Sequence, residues 1–528
     1  MPAHGSDAIN AKRGHRSRFR GDLNDLRQRN FIYSPFLRLP VELILDIILH
    51  AFQLHGGFRF WVILTAICYR LREILVSSPF LWRVVDTDSV PLAKAFLARS
   101  NFDPHALLAT NHVWPPHRTA FWDELGGRTL KNLRFFVFRG PKSVFERWVV
   151  DVLQRTPNLA SLEIEGSSRA AWDLKQSFDD QLPNLTMLRL NKVRISWTSP
   201  LLQNLTKLIL NFACMRTPQE FTPLQTFLSA LKNCPDLESL QLNSAGPDPP
   251  SDTEDDLEVV PLHKLQDLAL RFEDQDVVMS ILSYIWFPES AKVEVETFCY
   301  HGIYASLSQV LPPPDVETLE YLQKTTTISI NLTQSSYELA TDSFRLVLIP
   351  EDDEYSHQSN LETLPRFAAK VVEMTGGDSV TALHVVFGLP GDVPRGMWEE
   401  LLHGFPRLEV IRYSSGPYSS GDSVDPFCSV FSEPFEGGFV CPGLSDLRVP
   451  HSVSWGPSAL ALRQALLERD AGGRRLKRIS FGDQAAGGMI LLEPFRDVVD
   501  EVSWFCPPGS QSSSSVSRLP GTVKILDD

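Results

Sequence analysis

The tetrapeptide GDSV occurs twice, at residues 377–380 and 421–424, and each copy offers a serine, Ser379 or Ser423, beside an acid. Acyl transfer on such a serine needs a base in reach and a group that orients it. A downstream Asp-x-x-His would supply both, and the chain has none, so both serines are expected as turn residues. His105, His112 and His117 fall close together without a cysteine. Zinc ligation wants paired ligands at tighter spacing, so these are expected as surface or packing histidines. Cys299 and His301 stand as an isolated pair. The acidic stretches DPPSDTEDDLE (248–258) and EDDE (351–354) lack the D-x-[DN]-x-[DN]-G frame of a calcium loop and suit solvated loops. No phosphate-binding glycine loop, G-x-S-x-G or H-E-x-x-H occurs. These residue types and spacings point away from an enzyme, with no cofactor and no metal expected.

Charge narrows the partners. The 528 residues carry a formal net charge of -14, which argues against a general nucleic-acid binder. Lys12, Arg13, Arg16, Arg18 and Arg20 form a local exception, a solvated arm or a nuclear-import signal. The opening MPAHGSDAIN is polar where a signal peptide is apolar. The longest apolar run, FWVILTAIC, is about half of a membrane span. Seven cysteines, an odd number scattered from Cys68 to Cys506, suit reduced thiols. The chain is therefore expected to be soluble, cytoplasmic or nuclear, with the sequons at Asn184, Asn204 and Asn331 unused.

The elements come next. Residues 1–33 are polar and basic, without an apolar face, and are expected to be disordered. In RLPVELILDIILHAF (38–52), Pro40 suits the first turn of a helix and Glu42 favours its dipole. Ile44, Ile48 and Phe52 recur at i, i+4 and i+8, and Leu45 and Leu49 widen the stripe. Gly56 and Gly57 end it. A second helix is expected over about 60–76, with Ile63, Ile67, Leu71, Ile74 and Leu75 on one face. SSPFLW then supplies a cap candidate in Ser78, Pro79 in a first turn, and the bulky pair Leu81 and Trp82. Three short helices in 34–86 can hardly enclose a core alone.

Beyond residue 130 the chain repeats itself. PNLASLEI (157–164), PNLTMLRL (183–190), PDLESLQL (235–242), PRLEVIRY (406–413) and PGLSDLRV (442–449) share P-x-L-x-x-[LI]-x-apolar. NLRFFVF (132–138), NLTKLIL (204–210), KLQDLAL (264–270) and RLKRISF (475–481) keep the frame without proline. Most of the early spacings fall within the roughly 20–29 residues of a leucine-rich repeat. The last two apolar positions of each block alternate as a short strand with both side chains inward. Amphipathic stretches such as VFERWVVDVLQRT, LQTFLSALKNC and MWEELLHGF precede the prolines that stop them. Helix, proline and strand in turn predict a solenoid of stacked units. Repeats are expected over 131–287 and 381–506, with 87–130 a linker or first cap. Residues 288–380 are read as divergent repeats or an insertion, with strands at TTTISINL (325–332) and FRLVLIP (344–350) and a helix at ETLPRFAAKVVEMTGG (362–377). Residues 507–528 are expected as a flexible tail.

These residues carry a resemblance. The run from Leu39 to Ile48 resembles the L-P-x-E-[IL]-[IL]-x-x-I-[FI] opening of the F-box, and AICYRLREILVSSPFLWRVV (66–85) resembles its second half. Ile67 and Cys68 stand for the family's V-C, while Ser78, Pro79, Leu81 and Trp82 match S-P-x-L-W. Leu71 departs, standing where the family usually carries tryptophan. The resemblance covers about 48 of the 528 residues. AKAFLARSNFDPHALLAT (93–110) is similar to the first segment after the F-box in the large F-box families of mushroom-forming fungi. It implies an α/β protein with a short all-helical F-box followed by a leucine-rich-repeat horseshoe. It implies that Leu39, Pro40, Glu42, Leu43, Ile44, Ile47, Ile48, Ile67, Cys68, Leu71, Pro79, Leu81 and Trp82 meet or brace a Skp-type linker, and through it a cullin. A client protein would bind the repeats for ubiquitination, with no nucleic acid or membrane involved. Two other readings stay open: helices that only cap the solenoid, and a repeat scaffold or small-molecule sensor with a vestigial F-box.

Overall fold

The computed structural model describes residues 34–55, 58–110, 119–127, 130–167, 172–174, 182–211, 223–248, 257–299, 302–312, 317–350, 356–389, 393–415, 424–435, 438–450, 456–482 and 493–505. The basic arm, Gly56, Gly57, His112, His117, residues 249–256, His301, residues 351–354, Ser423 and the tail lie outside them. The chain divides into two compact units, one reaching Leu162 and including Gln181–Asn184, the other carrying Glu163–Asp180 and the chain from Leu185. Both are mixed α/β.

In the first unit, helix α1 spans Val41–His55. The Ile44 amide donates to the Pro40 carbonyl at 3.1 Å, so Pro40 stands just ahead of the helix rather than inside its first turn. The single helix expected over 60–76 is two, α2 (Phe58–Ile67) and α3 (Tyr69–Val76). Between them Cys68 is extended (φ -152°, ψ 163°), and its Sγ accepts the Leu71 amide at 3.5 Å. An extended residue cannot continue the helical ladder, and the predicted stripe splits there. Ile63 and Ile67 are exposed, whereas Leu71, Ile74 and Leu75 are buried. Ser78 does not cap the following turn; its hydroxyl donates back to the Ile74 carbonyl at 2.7 Å.

The segment 87–130, expected as a linker or first cap, holds a strand, and another stands just before it. Val84–Asp86 (β1) pairs in parallel with Ala106–Ala109 (β2), which pairs in parallel with Phe135–Gly140 (β3). Helix α4 (Val90–Arg99) lies between β1 and β2 in sequence. Strand pairing therefore begins at Val84 and not near residue 131. Periodicity missed it because these strands lack the P-x-L-x-x-L frame. Asn101 and Phe102 end α4 with φ of 59° and 56°, and the Phe102 amide donates to the Leu97 carbonyl at 2.7 Å. Asparagine tolerates that left-handed region, while phenylalanine adopts it rarely. Helix α5 spans Thr119–Gly126, and the chain then passes through β3 to β4 (Ser161–Gly166).

In the second unit the blocks end in strands β5 (Met187–Asn191), β6 (Lys207–Asn211), β7 (Ser239–Asn243) and β8 (Asp267–Phe272), each parallel to the next. Strand β8 continues in parallel to β9 (Lys292–Cys299). The irregular middle holds β10 (Thr327–Leu332), β11 (Tyr337–Ala340) and β12 (Phe344–Pro350). β12 lies parallel to β9, β11 runs antiparallel to both β12 and β10, and β10 lies parallel to β13 (Ala382–Phe387). One reversed strand thus interrupts an otherwise parallel order. From β13 the order resumes through β14 (Val410–Ser415), β15 (Asp446–Val449), β16 (Leu476–Gly482) and β17 (Val499–Phe505). The result is a large, mostly parallel sheet whose described strands close no barrel.

Two devices repeat from strand to strand. The first leucine of each block is buried, as at Leu133, Leu159, Leu205, Leu237, Leu265 and Leu408; truncating one to alanine costs about 2–5 kcal/mol. The carbonyl just after that position accepts two consecutive amides of the neighbouring strand's segment. Arg83 accepts from His105 and Ala106, Thr206 from Glu238 and Ser239, Thr381 from Glu409 and Val410, and Ser445 from Lys477 and Arg478. This fork fixes register at these pairings, and its presence at Arg83 places β1 in the same scheme. The residue before the block's proline is also buried and often a donor. Thr156 Oγ1 reaches the Leu153 carbonyl at 2.8 Å, Cys234 Sγ the Leu202 carbonyl at 3.2 Å and Cys441 Sγ the Leu402 carbonyl at 3.3 Å. Burial pushes the Cys441 thiol up to about 12, so it stays a protonated donor. None of the described cysteines is in a disulfide.

The helix expected over 362–377 spans Ser356–Thr375 (α6) and stops as predicted at Gly376 and Gly377, with φ of 67° and 68°. A Cβ on Gly377 would press on the Gly404 carbonyl, so only glycine fits there. No helix among the described residues is long and apolar enough to cross a membrane.

Candidate partner-binding surface

Exposed apolar area is unevenly distributed. Of the large apolar side chains exposed among the described residues, all but Phe102, Val259 and Leu460 lie between Val41 and Phe80. On α1, Leu43 and Ile47 are one turn apart and 48% and 47% exposed. On α2, Ile63 and Ile67 repeat that spacing at 61% and 59%. Tyr69 and Val76 on α3 and Phe80 in the 3-10 turn Pro79–Trp82 complete the set. Leaving so many apolar groups wet opposes the hydrophobic effect, and their concentration in one short stretch makes it the candidate interaction surface.

The residues implicated by the F-box resemblance separate into two groups. Pro40, Glu42, Leu43, Ile47, Ile67 and Pro79 are exposed, and Leu39 and Cys68 are half-buried. Ile44, Ile48, Leu71, Leu81 and Trp82 are buried, so they hold the helices rather than face a partner. Leu71, the departure from the family pattern, is 4% exposed; its lost ring area falls inside the unit. Trp82 is the anchor. Its Nε1 donates to the Leu75 carbonyl at 2.7 Å, its ring stands edge-on to Phe96 at 4.7 Å, and the Arg99 guanidinium lies over it at 4.2 Å. Burial, followed by the field of Arg72, lowers the Arg99 pKa. Val41, Tyr69, Val76 and Phe80 were not singled out from sequence. The signal available was a second apolar row, Leu43 and Ile47, beside the Ile44–Ile48 stripe on one helix.

The other chemistry-bearing residues do not assemble among the described residues. Ser379 Oγ donates to the Gln323 and Thr325 carbonyls at 2.7 and 2.9 Å, which fits the expected turn serine. His105 packs against Phe135 at 5.4 Å, and burial, then Arg134 and Arg83, push its pKa down. Cys299 is buried, and its Sγ accepts from Ser306 Oγ at 3.4 Å. No cluster of three metal-ligating side chains occurs among the described residues.

No protein-family model matches the chain, and none of the curated proteins compared with it matches either.

Proposed function

We propose that the protein is a non-enzymatic substrate-recognition subunit of an SCF-type ubiquitin ligase. Its helices over 41–82 act as an F-box that docks a Skp-type linker, and through it a cullin. Its strand–helix units form a leucine-rich-repeat solenoid that holds a client protein, in the cytoplasm, the nucleus or both. The observation that carries this reading is the crowding of exposed apolar side chains onto the stretch whose sequence resembles an F-box. Fully burying each such side chain contributes about 1.5–3 kcal/mol, so a few of them suffice for a specific interface. The same helices also reach α4 through Trp82, and α4 packs on β1, so docking and capping are compatible.

A small-molecule sensor is the second reading, and one cavity bears on it. Leu97, Phe121 and Leu125 line it, with Lys94 and Glu124 paired across it at 3.1 Å. It encloses about 110 Å³, less than the roughly 150 Å³ of a cavity that takes up benzene.

Affinity purification of the full chain with and without proteasome inhibition tests the reading. A Skp-type linker and a cullin should co-purify in both conditions, and a client should accumulate on inhibition. Recovery of neither linker nor cullin would overturn it.

A further inference from the structure

The cavity lined by α4 and α5 is an apolar notch with a charged mouth. Leu97, Phe121 and Leu125 line it and are buried, while Phe102, also part of the lining, is 39% exposed. Phe102 is held unusually: it has a φ of 56° and follows Asn101 at 59°, so two successive non-glycine residues are left-handed. Such residues persist only where their surroundings over-determine them, and ligand clamps are one such place. Here the Phe102 amide is tied to the Leu97 carbonyl at 2.7 Å, which keeps the ring beside the apolar lining. Lys94 and Glu124, paired at 3.1 Å and about half exposed, add one charge of each sign.

Size and charge define what fits. The notch holds about 110 Å³. At the roughly 30 Å³ that one water occupies in the liquid, this is room for three or four non-hydrogen atoms, one aliphatic side chain. A complementary segment therefore carries an aliphatic residue with an acid on one side, for Lys94, and a base on the other, for Glu124. Outside the described residues the chain has that pattern once, at Asp25-Leu26-Arg27 in the N-terminal arm. In a helical turn the two neighbours of Leu26 stand about 100° to either side of it, so all three contacts form together. The eight residues from Leu26 to Ser34 reach about 26–29 Å when extended. A unit of this length has a radius of gyration of about 15 Å, so the tether covers much of its surface.

We propose that the notch between α4 and α5 seats Leu26 of the chain's own N-terminal arm, with Asp25 on Lys94 and Arg27 on Glu124. Tethering gives the arm an effective concentration in the millimolar range, so a single leucine anchor keeps the notch filled. The docking stands apart from the receptor reading, because the exposed rows of α1 and α2 supply none of its contacts.

Hydrogen exchange on the full chain tests the docking. Amides of residues 23–29 should exchange at least about tenfold more slowly in wild type than in Leu26→Asp, the factor that burying one leucine corresponds to. Leu26→Asp alters only the arm, so it should melt as wild type does. Phe102→Gly removes the ring at a backbone conformation that glycine adopts without strain, and it should also lower the protection. Arg27→Glu should lower it by up to about fivefold, as for an exposed ion pair, and Arg27→Glu/Glu124→Arg should recover that loss. Equal exchange of residues 23–29 in wild type and Leu26→Asp overturns the proposal. So does undiminished protection in a folded Phe102→Gly chain, which would mean that the arm is held elsewhere. Protection that disappears on dilution, together with a dimer in sedimentation, would assign the notch to the arm of a second copy and overturn docking within one chain.

Discussion

Trp82 stands edge-on to Phe96 at 4.7 Å and donates its indole N–H to the Leu75 carbonyl at 2.7 Å. One side chain thus joins α3, the turn that follows it and α4. Helix α4 in turn packs on β1, while Leu43, Ile47, Ile63 and Ile67 on the preceding helices are exposed.

Trp82→Ala should therefore destabilise the first unit by about 3–5 kcal/mol, the usual range for emptying a buried aromatic site. Denaturant unfolding followed by helical signal measures it. A change under about 1 kcal/mol would mean that α3 and α4 are held by other contacts.

Restoring the family's tryptophan, Leu71→Trp, should not improve linker binding. Leu71 is buried, so the larger ring overfills a packed site and lowers stability by about 1–3 kcal/mol. Titration with a Skp-type protein and a thermal melt report the two effects separately. Tighter binding with unchanged stability would place Leu71 on the contact surface instead.

Arg469 is buried, with its guanidinium donating to the Phe431, Val440 and Cys441 carbonyls at 3.3, 2.8 and 3.0 Å and lying 4.2 Å over the Phe431 ring. Burial lowers its pKa to about 10, so it stays charged at neutral pH. Arg469→Leu leaves three carbonyls without their donor and should cost on the order of 3 kcal/mol. Calorimetry on the full chain checks this, and a neutral result would mean that water replaces the guanidinium.

His384 gives a pH dependence. Burial, then Arg412 and Arg448, hold its folded pKa at about 4, below the ordinary value of 6.5, so the unfolded chain takes up the proton first. Its contribution is constant above about pH 6.5, and stability is lost as pH falls from there towards 4. Half-exposure screens the effect to the order of 1 kcal/mol. His384→Gln should flatten that part of the stability profile measured in urea; an unchanged slope would exclude the histidine as its source.

Much of the fold was legible because the first leucine of each block must be buried to fix a strand. Leu133, Leu237 and Leu408 sit where the frame puts them. The start at Val84 was hidden, since β1 and β2 pair through backbone forks at Arg83 that leave no side-chain frame. The reversed strand Tyr337–Ala340 was hidden because its alternation looks the same in either direction. On the candidate surface, the pattern named Leu43, Ile47 and Ile67, which are exposed, but passed over Val41, Tyr69, Val76 and Phe80. The break at Cys68 decides which way Ile63 and Ile67 point, and a smooth helical stripe conceals such a break. Nothing in linear order could reveal that His384, Arg412 and Arg448 stand side by side, because strand register brings them together.

The exposed apolar rows of α1 and α2 are proposed to seize a Skp-type linker. Binding of a purified Skp-type protein to the full chain and to Leu43→Asp/Ile47→Asp tests it most directly, with a thermal melt of both. Hot-spot truncations cost about 2 kcal/mol or more each, near thirtyfold in affinity, so the double variant should lose measurable binding while melting as wild type does. Undiminished binding by a folded double variant would contradict the claim.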